Sequence, residues 1–369
     1  MADPVRMARV HRVPMSGPDD TSAIETLIRS GEADPEAIVA VIGKTEGNGC
    51  VNDFTRGYAV QSLRNLLTRF VGEAGLDKIC MVMSGGTEGA LSPHWIVFET
   101  VSTDQQSEGA SLALAAHVTR DFQPWEIGRM AQVDTVADGV RIAMREAAIT
   151  RADDVHFVQI KCPLLTAERI AAVTGGNPVA TADTLRSMGL SRGASALGVA
   201  VALGELDRKT IRDEDIGTSL DLFSARASCS AGIELMGCEI VVMGMSETWS
   251  GPMCMGHTVM ADALDVRPVT ALLGTLGLDH GGQLDEDLRR QVAAVLVKAE
   301  ASKSGHVRGA RHTMLNDSDI SSTRHARGFV AGVLGGVFGF TDLFVSGGAE
   351  HQGPDGGGPC AVIIRKDKV

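Results

Sequence analysis

Ser230-Ala231-Gly232-Ile233-Glu234 decides how this chain is read, because its form occurs three times. Ser84-Gly85-Gly86-Thr87-Glu88 precedes it, and Ser346-Gly347-Gly348-Ala349-Glu350 follows it. The shared pattern is S-x-G-x-E. One such phrase is an ordinary turn, since Ser and Gly favour turns. Three of them raise the question of what else repeats, because a fixed internal period dictates architecture.

Three further markers repeat. A strand-like apolar run ends on a lysine before each phrase: 37–42 before Lys44, 155–160 before Lys161, and 293–297 before Lys298. An Arg-Gly pair then opens a helical stretch, at Arg56-Gly57, Arg192-Gly193 and Arg327-Gly328, with nearly even spacing. Another strand follows each phrase, at 95–99, 239–244 and 361–364. Each unit also begins with a strand (8–13, 112–118, 257–260) and a helix (22–30, 133–148, 266–276). The pattern predicts an α/β fold of three homologous repeat units around a pseudo-three-fold axis, with the active site at the centre. The units are 1–104, 110–249 and 255–369, with boundaries in the polar stretch 105–109 and at Ser250-Gly251. The markerless span 206–222 reads as a charged surface insertion in the middle unit.

Composition fits such a core. Aromatics make up only 4% of the 369 residues and glycines number 43, so packing falls to aliphatic side chains and close backbone approaches. The formal charge of −12 argues against nucleic acid and anionic membrane surfaces, which select basic patches. The seven cysteines are scattered without CxxC spacing, which suits free thiols in a reducing cytosol and disfavours zinc. Residues 1–15 lack the apolar core of a signal peptide. The longest apolar stretch, 329–340, is Gly-rich and too short to span a bilayer, so it reads as a buried helix. A soluble cytoplasmic protein is expected.

Three units about one axis bring like residues together. The centre would present Lys44, Lys161 and Lys298, Arg56, Arg192 and Arg327, and Ser84, Ser230 and Ser346, with backbone N–H groups from the Gly-containing turns. Arginines at helix starts suit an anion, through the dipole and free N–H groups. The matching ligand is small, flat, three-fold symmetric and rich in carbonyl or anionic oxygen. Ser with Lys also suggests nucleophilic catalysis, in which a neutral lysine deprotonates the hydroxyl. Residues i and i+2 of a strand share a face, so Glu46 and Glu300 would hold Lys44 and Lys298 protonated. Cys162-Pro163 follows Lys161 without a carboxylate, which singles out Lys161 as base and Ser230 as nucleophile. The stretch 350–359 is either a flexible turn or a loop of carbonyls around a hard cation, completed by Glu300.

The phrases together resemble the cyanuric acid hydrolase/barbiturase family of cyclic amidases. The residues that carry the resemblance are 43–49 (GKTEGNG), 84–89 (SGGTEG), 191–198 (SRGASALG), 298–302 (KAEAS), 311–315 (RHTML) with Asp317-Ser318-Asp319, and 346–359. The resemblance implies three α/β units in a homotetramer and hydrolytic opening of cyanuric acid to carboxybiuret, which yields biuret and carbon dioxide. It implies Lys161 and Ser230 as base and nucleophile. The other lysines, the three arginines and the corners Ser84-Gly85, Ser230-Ala231 and Ser346-Gly347 would bind substrate. No organic cofactor is implied. A structural Mg²⁺ or Ca²⁺ would sit on Glu300, Ala349, Gln352, Gly353, Pro354 and Gly357. The barbiturase branch departs at the second and third arginine positions, so the three Arg-Gly pairs here favour cyanuric acid. Rival readings are a barbiturase or other cyclic-imide amidase, and a non-catalytic small-anion binder on the same fold.

Overall fold

The structure is a computed structural model, and it describes residues 5–105, 109–173 and 177–366. The first part comprises β1 (Val5–Pro14), α1 (Ser22–Ser30), β2 (Ile38–Thr45), α2 (Phe54–Leu76), β3 (Cys80–Gly85) and β4 (His94–Thr103). The second comprises β5 (Ser111–Val118), α3 (Met130–Glu146), β6 (Val155–Pro163), α4 (Ala167–Ala171), α5 (Thr184–Ala202), β7 (Ala227–Gly232) and β8 (Glu239–Ser246). After the short β9 (Trp249–Ser250) come β10 (Met253–Met260), α6 (Arg267–Thr275), α7 (Glu286–Gln291), β11 (Val292–Ala299) and the hairpin β12 (His306–Val307) with β13 (Ala310–Arg311). The chain closes with α8 (Ser322–Phe338), β14 (Phe344–Gly347) and β15 (Gly358–Arg365).

Three sheets share one topology. Their orders are β3-β2-β4-β1, β7-β6-β8-β5 and β14-β11-β15-β10, so each reads third, second, fourth, first strand. In each, the second and third strands are parallel and the other pairs antiparallel. The second strand of every sheet also has a register irregularity near its start, at Ile38/Ala40, Val155/Phe157 and Val292/Ala294. β9 breaks the pattern by pairing with β1 at the edge of the first sheet. Among the described residues no helix is long and apolar enough to cross a membrane.

Side-chain alternation sorts the second strands into two layers. Ala40 and Ile42 join a core cluster with residues of all three sheets, while Val41 faces a separate cluster under α1 and α2. Likewise Ala294 and Leu296 face the shared core, while Val295 and Val297 face the cluster under α6 and α8. Period two then puts Lys44 and Lys298 on the shared, inward face.

Several expectations change here. Only Arg56 lies in the first turn of its helix. Arg327 lies in the second turn of α8, and Arg192 lies in the middle of α5, which begins back at Thr184 behind its Asp183 cap. The dipole argument therefore does not extend to all three arginines. The apolar stretch 329–340 forms α8 only as far as Phe338, and Phe329 is exposed, because one helix face packs on the sheet and the other does not. The insertion 206–222 is not purely surface, since Ile211 and Ile216 are buried in a cluster with Val133, Ala194 and Leu197. The short strand expected at 257–260 starts at Met253, because it pairs with β15 along its whole length.

Candidate active site

Register sets the first geometry. In each parallel strand pair the lysine stands opposite the serine: Lys44 opposite Ser84, Lys161 opposite Ser230, and Lys298 opposite Ser346. All three lysines are buried. In front of them, one central cavity is lined by Ser84, Ser230 and Ser346, by Arg56, Arg192 and Arg327, and by Gly85, Ala231 and Gly347. The expected substrate-binding residues thus converge, with the lysines directly behind the serines. A larger cavity of about 460 Å³ opens onto this centre and shares Gly49, Met188, Arg192, Arg327 and Gly347 with it. Part of its wall comes from the insertion, at Ile216, Gly217, Thr218 and Leu220.

The corners are shared between units. Arg327 donates to Glu88 from Nε at 2.9 Å and from Nη2 at 2.6 Å. Arg192 donates to Glu350 from Nε at 2.9 Å and from Nη2 at 2.8 Å. Each forked pair joins the phrase of one unit to the arginine of another, a geometry that suits guanidinium and carboxylate. Lysines cross units too: Lys161 Nζ donates to Met83 O at 2.7 Å, and Lys298 Nζ donates to Cys229 O at 2.9 Å. The phrase glutamates were visible as repeated letters in the sequence, but their partners lie in other units and no local spacing points to them.

By rotation, Glu234 should clasp Arg56. It does not. Glu234 Oε1 lies 2.7 Å from Lys161 Nζ, while Arg56 Nη1 donates to Ala231 O and Nη2 to Cys50 O. Arg56 Nε and both carboxylate oxygens of Glu234 are buried without an aligned hydrogen-bond partner. The backbone explains the difference. Gly86 and Gly348 turn left-handed, at φ 106° and 77°, but Gly232 does not. β7 instead stays paired through Gly232, which stands opposite Pro163. A proline favours an extended residue before it, here Cys162, so this strand pair runs one step further than the others.

The expectation that Lys161 lacks a carboxylate is therefore corrected. Its counter-charge comes from the end of the neighbouring strand, which an i, i+2 argument does not survey. The carboxylate two residues after Lys44 is also not its partner: Glu46 is exposed. Burial and Arg327 push Lys44 well below the usual lysine range. Burial and Arg192 lower Lys298 to about 7. Burial also lowers Lys161, but Glu234 opposes the shift. Lys298 Nζ donates to Ser346 Oγ at 3.0 Å, Lys44 Nζ reaches Ser84 Oγ at 3.5 Å, and Ser230 Oγ lies 3.1 Å from Ser346 Oγ.

Beside the centre lies a small cavity of about 20 Å³, lined in part by Glu300, Ala349, Glu350, Gly353 and Pro354. Burial raises Glu300, and the neighbouring Glu350 adds to that. The Gln352 side chain turns away instead: its Oε1 accepts from Cys229 N at 2.6 Å, and its Nε2 donates to Gly348 O and Glu350 O. Gln352 and Gly357 are not part of the wall. Among the described residues no three His, Cys, Asp or Glu side chains cluster to hold a metal, so any cation here would depend on carbonyl oxygens. His351, which the sequence reading passed over, braces this loop: its Nε2 accepts from Gly217 N, and its Nδ1 contacts Leu222 O.

Known proteins resemble this chain over nearly its whole length. A cyanuric acid amidohydrolase from Bradyrhizobium sp. (strain ORS 375) is 58% identical over 371 aligned residues, covering 99% of this chain and all of that one. One from Azorhizobium caulinodans is 56% identical, covering 98% and 99%. A crystal structure of cyanuric acid hydrolase from A. caulinodans superposes with a TM-score of 0.92 at 55% identity, covering 98% of this chain and 100% of that one. A second cyanuric acid hydrolase structure, at 47% identity, gives 0.93 with the same coverage. The signature of the amidohydrolase ring-opening proteins matches residues 9–365, and with these relatives it shows that the chain is an enzyme belonging to that family.

Proposed function

We propose that this enzyme hydrolyses cyanuric acid, opening the ring to carboxybiuret, which loses carbon dioxide to give biuret. The observation that carries the reading is the convergence of three serines and three arginines from pseudo-equivalent units on one cavity. Cyanuric acid is planar and three-fold symmetric, with three carbonyls and a weakly acidic ring. The names of the relatives support the same substrate.

The chemistry we assign starts at the middle corner. Lys161, opposite Ser230 in register, takes the hydroxyl proton as Ser230 Oγ attacks a ring carbonyl. Backbone N–H groups of the corner stabilise the developing oxyanion. Lys161 returns the proton to the leaving ring nitrogen as the C–N bond breaks, and water completes the hydrolysis. Arg56, Arg192 and Arg327 hold the ring, while Ser84-Gly85 and Ser346-Gly347, backed by Lys44 and Lys298, bind the other two carbonyls. The middle corner differs from the other two in the partner of its glutamate, which suits a single working edge. The units 1–104, 110–249 and 255–369 each supply one corner.

A second reading has its own observation. Lys298 and Ser346 are the pair within 3.0 Å, which favours them as the dyad. Biuret release by Ser230→Ala, Lys161→Ala, Ser346→Ala and Lys298→Ala variants decides the matter. The middle assignment expects the first two to be inactive; activity in Ser230→Ala with none in Ser346→Ala would overturn it. Turnover of barbituric acid exceeding that of cyanuric acid would overturn the substrate assignment.

We also propose that the 20 Å³ cavity holds Mg²⁺ or Ca²⁺, on the Glu300 carboxylate and the carbonyls of Ala349, Gly353 and Pro354. The fit rests on the buried Glu300 carboxylate, which Glu350 repels even though Lys303 also lines the space and Arg192 holds Glu350, at a space large enough for one small ion. Such an ion would brace the loop that positions Glu350 against Arg192. Chelation is expected to lower the melting temperature, and an unchanged melting curve with no metal in the purified protein would rule the site out. A homotetramer is part of the same reading, testable by light scattering.

A further inference from the structure

Glu234 is the one phrase glutamate without a forked arginine partner. Its rotational equivalents, Glu88 and Glu350, each lock an arginine. Arg56, the arginine left over, has a buried Nε with no partner. A carboxylate paired with Lys161, within electrostatic reach of Arg56 and Arg169, has a second place to go on Arg56, whose Nε is open and whose rotational equivalents lock a glutamate, whereas Arg169 is held on Leu164 O and Ile233 O.

We propose that Glu234 is a positioning carboxylate with two berths, on Lys161 Nζ and on Arg56, and that its transfer between them governs when Lys161 can accept the Ser230 proton. The proposal rests on the reading of Lys161 and Ser230 as the dyad. On Lys161 the carboxylate secures an ammonium, which cannot act as a base. If Lys161 lost its proton while Glu234 stayed, the buried carboxylate would lose its nearest counter-charge while Arg56 and Arg169 remained unbonded to it, which is unfavourable. Moving to Arg56 removes that penalty, because the fork supplies two donors and restores the pattern of the other corners. The Lys161 proton then passes to solvent water through the central cavity, leaving the neutral amine to take the Ser230 proton, and the switch of Glu234 itself makes or breaks no covalent bond.

Among the described residues, Lys161 Nζ donates to Met83 O and is faced by four ionisable groups. Glu234 comes from beyond β7, Glu239 stands opposite it on β8, Arg56 approaches from α2, and Cys162 is its chain neighbour. Glu239 is tied to Met81 N at 2.8 Å and stays in place. Glu234 is thus the acceptor able to change partners. A β-carbon at Gly232 would lie 2.0 Å from Glu234 Oε2, so the glycine leaves room for the carboxylate in its Lys161 berth.

The test uses the full-length enzyme and two substitutions with opposite signs. Glu234→Gln removes the counter-charge and is expected to shift the acid limb of kcat/KM for biuret release to lower pH by about one unit or more. Arg56→Gln removes the second berth and is expected to shift the same limb to higher pH, in addition to weakening substrate binding. The Lys161 side-chain resonance, assigned by Lys161→Arg in lysine-labelled protein, reads the titration without using activity. If neither the limb nor the resonance moves in Glu234→Gln, the inference falls. If the resonance moves and the limb does not, Lys161 is not the catalytic base: the dyad assignment falls, and with it the governing role of Glu234. Glu234→Asp, which keeps the charge and the fold, is expected to retain a wild-type limb; a limb that follows Glu234→Gln would also overturn the proposal.

Discussion

The corner at Ser230 and the corners at Ser84 and Ser346 are built from nearly the same letters and end differently. In the outer two, a left-handed glycine swings the glutamate outward onto an arginine of another unit. In the middle one, the strand keeps going and the glutamate turns inward onto a lysine. The letters that differ are small: Ala231 replaces a glycine, and Cys162-Pro163 follows the lysine. One residue of extra strand pairing thus re-aims a carboxylate and separates one corner from its copies.

The largest expected difference between the corners is chemical. Ser230→Ala is expected to lower the rate of biuret release by about 10⁴-fold, the scale of losing a triad nucleophile. Ser84→Ala should lose far less, with a melting curve like that of the parent. Equal losses at the two corners would mean that the corners are equivalent after all.

The next is structural. Glu88→Ala leaves the buried Arg327 without its fork and is expected to destabilise the fold by about 3–5 kcal/mol in denaturant titration. Glu234→Ala takes one of two carboxylates from around Lys161 and leaves Arg56 no worse paired, so it should be milder. A smaller effect compares the glycines. At Gly86 a β-carbon would lie 2.3 Å from Arg327 Nη2 on a left-handed backbone, so Gly86→Ala is expected to cost about 1–3 kcal/mol. Gly232→Ala displaces only a side-chain carboxylate and should be cheaper in stability while disturbing the acid limb of activity.

The smallest expected effect is a pH dependence. Burial pushes Glu88 upward, but Arg327 outweighs it and the carboxyl ends below its ordinary 4.5. A depressed acid stabilises the fold fully above its unfolded value and loses that contribution as pH falls through the folded one. The gap in melting temperature between the parent and Glu88→Gln should therefore be widest at neutral pH and shrink below about pH 4.5. A gap that is flat across that window would show that the fork contributes nothing.

Much of this was legible in the sequence. The even Arg-Gly spacing and the serine phrases predict the three arginines and three serines that share one cavity, and the lysine-ended strands predict the register behind them, because strand period and unit repetition are local signals. The helix starts were not legible at Arg192, since Asp183 caps α5 two turns upstream and the Arg-Gly pair falls mid-helix. The counter-ion of Lys161 was not legible because Glu234 lies beyond the end of the neighbouring strand. The Arg–Glu forks were missed for the same reason: they join phrases to arginines far away in the chain, where only packing pairs them.

The forks crossing from unit to unit have a consequence for inheritance. No unit holds a finished corner, so a single repeat encoded alone could build this centre only as a ring of three identical chains. In such a ring every substitution is written three times, and no corner can depart from its neighbours. Joined on one polypeptide, the copies can drift separately. A proline after one lysine and an alanine in one phrase then mark the corner that departs from its copies.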